Sequence, residues 1–199
     1  MLMMLAAIGL QTATLEADSA KAALTCARAV AVADAGQSPL KLTAQLAYYV
    51  MHSAKIDQGG NTYLGRVQDL TATVAEGPEI TSAQAKALMP QCQKRFPVKV
   101  GAELSADPLQ RDLMCLGSLG ILMGAAQAMA EDGGDSTELD RLTPIYSALS
   151  PKLTNDRLAA AGITSDDQMS ESLGNALKAS LDIGDPDVVS RACAAYLMK

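Results

Sequence analysis

Cys26, Cys92, Cys115 and Cys193 are the residues whose type and spacing point most directly to a chemistry. No two of them form a C-x-x-C, so the paired spacing of a zinc site and the adjacent thiols of a redox motif are both missing. Four cysteines allow three connectivities. Their arrangement in two matching halves selects Cys26 with Cys92 and Cys115 with Cys193, each pair joining the first and last helices of one half. Loops this long give roughly 4 kcal/mol per bridge by chain entropy. Four buried free thiols, packing as small apolar groups, are the competing reading.

His52 is the one histidine, so any Ser-His-Asp or Cys-His site has to use it. Ser53 is its neighbour in sequence and lies off its helical face, which favours a partly exposed surface or groove histidine over a catalytic one. Met51 beside it supplies a soft ligand for copper, but two ligands do not make a site. Asp132, Asp135, Glu138 and Asp140 surround Gly133-Gly134 without the order of an EF-hand loop, and read as a solvated turn with capping acids. Asp166, Asp167, Asp185 and Asp187 stand at predicted helix N-termini, where the dipole favours negative charge. The phosphate-loop, zincin and nucleophile-elbow motifs do not occur. No catalytic residue, metal ligand or cofactor site is assigned, and the chain reads as a non-enzyme.

The elements that carry these residues are helices. Ala, Leu and Met dominate the apolar set, while Trp is missing and Phe96 is the one Phe. That composition predicts an all-α protein. The first helix is predicted over about 18–35, with Cys26 on its inward stripe. Ser38 caps the second, which bears Tyr48, Tyr49, Met51 and His52 and ends at Gly59-Gly60. The third covers about 62–75. Thr81 opens the fourth, where Ala85, Leu88, Cys92 and Phe96 share a face and Pro90 is expected to kink the helix or start a new turn. The second half repeats the plan: about 107–131 with Cys115, 137–149 with a kink at Pro144, 155–161, 166–181, and a closing helix capped by Asp185 with Pro186 at its first position. Both halves hold a Leu-Gly step, Leu64-Gly65 and Leu173-Gly174. The expected organisation is a signal peptide at 1–17, a helical unit at 18–96, a linker at 97–106 and a second unit at 107–199. It amounts to two tandem units of about four helices, an internal duplication.

Met1 to Ala13 carry no charge and are too short to span a bilayer. They fit the apolar core of a secretory signal, with cleavage after Ala17 or a nearby Ala, although no Lys or Arg precedes them. Disulfides agree with an extracytoplasmic location, periplasmic or secreted. Leu113 to Ala130 is also uncharged and contains Gly120-x-x-x-Gly124. Its acidic flanks argue against a membrane span and for a buried central helix whose glycines allow close packing.

The net charge of −6 and the missing basic footprint exclude a nucleic-acid partner. Two functions follow. The first is an exported, non-enzymatic interaction or assembly module, with a protein partner or a second copy. Tyr48 and Tyr49 point in different directions, so the outward Tyr with Met51 is the expected contact surface. The alternative is a carrier of a small apolar ligand between Ala/Leu/Met-lined helices.

Overall fold

The structure is a computed structural model that describes residues 13–33, 36–57, 59, 62–98 and 103–198. The described residues form nine α-helices and no strand. In chain order these are α1 (Ser19–Ala33), α2 (Pro39–Ile56), α3 (Tyr63–Glu76), α4 (Ser82–Arg95), α5 (Pro108–Glu131), α6 (Thr137–Leu149), α7 (Asn155–Ala160), α8 (Asp166–Ser180) and α9 (Pro186–Leu197). A 3-10 turn at Ser150–Lys152 separates α6 from α7.

The boundaries follow from side chains that satisfy the free N–H groups of each first turn. The Ser38 hydroxyl accepts from Lys41 N at 3.4 Å and the Thr62 hydroxyl from Gly65 N at 3.2 Å. Thr81 with Gln84 and Ser165 with Gln168 form reciprocal capping boxes. Asp107 accepts from Gln110 N at 2.7 Å and Asp185 from Val188 N at 2.9 Å, each followed by a proline at the first helical position. Neither Pro90 nor Pro144 opens a new turn: α4 and α6 run through them. Each proline is exposed and forgoes one backbone bond to the preceding turn.

Both expected disulfides are formed. Cys26 of α1 is bonded to Cys92 of α4, with Cα atoms 5.6 Å apart, and Cys115 of α5 to Cys193 of α9, at 5.7 Å. All four cysteines are fully buried. One core lies under α1–α4 and a second under α5–α9. The two interlock at their seam: Leu177 and Leu181 of the second half join the first core, and Leu40 and Ala44 of α2 join the second. α2 packs on α1, α3, α5, α8 and α9, whereas α6 packs on α5 and α9 of its own half.

α5 is long and apolar enough to cross a membrane by length and composition, with a mean hydropathy of 1.6 over its best window. Here it is the helix on which α2, α6, α8 and α9 pack. Its glycines depart from the expectation. Gly120 and Gly124 are exposed, and a Cβ at either would meet nothing within 4 Å. The close approach occurs at Gly117 instead, where a Cβ would lie 2.7 Å from Leu177 Cδ2 and Cγ. A three-residue spacing of small residues permits contact but does not decide where along the helix a neighbour lies: α8 reaches Gly117, and Gly120 and Gly124 further along α5 meet nothing.

Of the predicted signal peptide, 1–12 lies outside the described residues, as does 99–102 of the predicted linker. Residues 13–17 lie along α1 and α4. Gln91 Nε2 donates to Ala13 O at 2.9 Å, and Leu15 N donates to Gln91 Oε1 at 3.2 Å. Arg95 donates to Glu16 O and Ala17 O, both at 2.6 Å, and to Ser19 Oγ at 2.7 Å.

Candidate functional site

The expected contact surface does not exist as a surface. Tyr48, Tyr49 and Met51 are 2, 4 and 1 % exposed. Successive residues on a helix diverge by about 100°, which would send one Tyr outward from a helix covered on a single side. α2 is covered on several sides, so both directions are filled. Tyr48 OH donates to Pro97 O at 3.0 Å, and the Tyr49 ring meets Phe96 edge-on at 5.9 Å. Met51 offers its carbonyl to Tyr63 OH at 3.1 Å. Burial above all, then the charges of Tyr49, Asp185 and Asp182, raises the Tyr48 phenol well above its usual range.

His52 is wedged between Tyr48 and Phe96, with ring centroids at 4.5 and 5.2 Å. Its Nε2 is sealed from solvent without a hydrogen-bond partner. Burial, helped by Lys55 and opposed by Asp182, lowers its pKa to about 4. A histidine held neutral between two rings, with no acid bonded to it, is a packing residue. Asp185, capping α9 nearby, is pushed upward by burial against the pull of the Val188 N–H.

The remaining acids disperse into local roles. Asp135 accepts from Thr137 N at 2.9 Å and Thr137 Oγ1 at 2.5 Å, and those bonds hold its carboxyl below the usual range. Glu138 pairs with Arg141 and Asp187 with Arg191. Asp112, 1 % exposed, pairs with Arg157 at 2.6 Å. Asp57 pairs with Arg66, whose hydrogen bond lowers its pKa. Among the described residues, no three His, Cys, Asp or Glu side chains converge as a metal site.

What the fold does assemble is an apolar groove of about 460 Å³ in the first half. Ala31 and Val32 of α1 and Leu46 of α2 line one side. Val74 and Ala75 of α3 line another, and Pro78 and Ile80 of the α3–α4 connection complete it. Helical spacing accounts for the walls: Ala31 and Val32 follow the buried stripe of Cys26, Ala27 and Val30, on the flank the core leaves uncovered.

One cation belongs to the groove. Arg28 is the charged residue in the run Ala22 to Ala33. Its side chain reaches the C-terminal end of α3, where Nε donates to Val74 O and Nη2 to Thr73 O, both at 3.4 Å. Carbonyls of a last helical turn lack intrahelical donors and carry the negative end of the dipole, so they attract a guanidinium. Gly77 makes the seat. Its φ of −72° asks nothing special of the backbone. A Cβ there, however, would overlap Arg28 Nε, Cζ and Nη2. Among the described residues Arg28 makes no ion pair, and Glu79, exposed, is the carboxylate that shares the lining.

Two other depressions are more mixed in character. One of about 390 Å³ between α3 and α8 brings Tyr63, Asp167, Glu171 and Lys178 together. Another of about 420 Å³ lies between α7 and the start of α8. Sequence reasoning passed over Arg28 and Gly77. The available signal was the single charge in the run Ala22 to Ala33, together with the Gly-Pro that ends α3.

No family model, curated protein or solved structure matches this chain.

Proposed function

We propose that this chain is an exported, non-enzymatic binding protein that carries a small apolar molecule in the α1–α2–α3 groove. The groove is the observation that supports this reading. Its volume falls within the range of about 300–1,000 Å³ typical of small-ligand sites, and its walls are mostly Ala, Val, Leu, Ile and Pro, with Thr71, Arg28 and Glu79 as the polar members. The Cys26–Cys92 bond ties α1, one wall, to α4. A wall held in place before binding loses less freedom on binding. Export is the reading of the apolar N-terminus, and two buried disulfides are compatible with an oxidising compartment.

The assembly reading has less support. Its expected anchors Tyr48, Tyr49 and Met51 are interior. Among the described residues, the large apolar ones left exposed, Ile56, Val98, Tyr146 and Met198, are scattered over separate elements, and single exposed apolar residues are ordinary. We also read the two stapled halves as copies of one ancestral unit. In favour stand the bond between first and last helix in each half and the meeting of α3 with α8 at their Leu-Gly steps, where a Cβ on Gly174 would lie 3.8 Å from Leu64 Cγ. Against it stands the absence of any counterpart in α6 to the seam that α2 makes.

The test is a titration of the disulfide-intact protein with decanol, followed by two-dimensional NMR. Saturable shifts centred on Val32, Leu46, Val74 and Ile80 are expected. No saturable shift, or shifts confined to the α5–α9 half, refutes the carrier reading.

A further inference from the structure

We infer that the groove selects an amphiphile with a carboxylate head, and that Arg28 is the residue that holds the head. The inference rests on the carrier reading above and adds the ligand class. Of the five N–H donors of a guanidinium, two are engaged with Val74 O and Thr73 O at 3.4 Å. Those bonds are long and satisfy Arg28 weakly. Three donors are left, enough for the two parallel bonds that a planar carboxylate accepts. The apolar walls contribute no second anion acceptor: apart from Arg28 and Glu79, the lining residues are uncharged.

The unused donors of Arg28, half-buried at the wall where Glu79 is exposed, favour an anionic head. A cationic amphiphile would set its charge against Arg28. A neutral alcohol would fill the walls and forgo the charge-assisted bonds. A carboxylate gains both contributions, with its tail along Val32, Leu46 and Val74. Glu79 on the same lining opposes any anion and limits the affinity. Gly77 sets the position of the guanidinium: with no Cβ, it lets the Arg28 head lie flat on the end of α3.

The experiment compares decanoate, decanol and decylammonium, each below its aggregation threshold, by calorimetry and NMR on the disulfide-intact protein. Decanoate is expected to bind about tenfold more tightly than decanol, the size of a charge-assisted bond over none. Decylammonium is expected to bind more weakly than decanol. Arg28→Gln should bring the decanoate-to-decanol ratio to about one and leave decanol unchanged, and Arg28→Lys should restore part of it. Gly77→Ala keeps the charge but displaces it, and should lower the ratio without unfolding the protein, because the atoms it strikes end a flexible side chain. Glu79→Gln should raise the ratio.

A ratio unchanged in Arg28→Gln, or decylammonium binding as tightly as decanoate, overturns the assignment of Arg28 while the groove stands. Failure of decanol and decanoate alike overturns the carrier reading and the head-group assignment with it.

Discussion

His52 should make this protein acid-sensitive far above the pH at which carboxylates titrate. The ring is neutral in the folded chain because burial, and secondarily Lys55, lowers its pKa to about 4. In the unfolded chain it titrates near 6.5. The unfolded state therefore binds one more proton between those values, so stability is full above pH 6.5 and falls as the pH drops toward 4. The loss attributable to His52 is about 2 kcal/mol at pH 5 and about 3 kcal/mol below pH 4. Asp185, whose pKa burial raises, acts with the opposite sign: its contribution is present below the unfolded value and lost as pH rises through the folded one. His52→Phe keeps a ring between Tyr48 and Phe96 and removes the titration. Urea unfolding followed by circular dichroism at pH 7.5 and 5.0, on both proteins, isolates the difference because Asp185 is common to them. The wild type should lose about 2 kcal/mol more than the variant between the two pH values, with unchanged slope. Equal losses would refute an imidazole held neutral in the folded chain.

Three further outcomes are expected. Gly117→Ala should cost about 1–3 kcal/mol in thermal or chemical unfolding, because its methyl would lie 2.7 Å from Leu177; Gly120→Ala, with open space around it, should stabilise α5 by up to about 1 kcal/mol. Replacing Cys115 and Cys193 by Ala should remove about 4 kcal/mol, read from the urea midpoint, since the bond closes a separation of 78 residues. Under the proposed export, N-terminal sequencing of the mature chain should find a start at or before Ala13 and not after the expected Ala17, because Gln91 and Arg95 bind the backbone of residues 13–17; a start at Asp18 would refute a structural role for those bonds.

Much of the fold is legible in local chemistry. Ser38, Thr62, Thr81, Ser165 and Asp185 announce helix starts because capping bonds span three residues and need no tertiary context. The cysteines reveal their pairing because both partners sit on inward stripes of the helices that close each half. What escaped depends on how helices are surrounded. Tyr49 is buried because α2 has neighbours on several sides, which its own periodicity does not record. Gly120 and Gly124 meet no neighbour, although their spacing matches that of packing glycines and they lie on the same side of α5 as Gly117. Arg28 and Gly77 become one feature only when α1 meets the end of α3, 49 residues further along the chain by their numbers (77 less 28).

Each sulfur bond closes within its own half, and the seam is non-covalent: Leu40, Ala44, Leu177 and Leu181 carry it, with Ile121, Leu173 and the Lys55–Asp182 pair beside them. Two molecules could therefore trade halves at high concentration and end as a swapped dimer with every cystine correctly formed. Non-reducing electrophoresis, which reads covalent linkage, would be blind to such an exchange, whereas sizing in native buffer would report it.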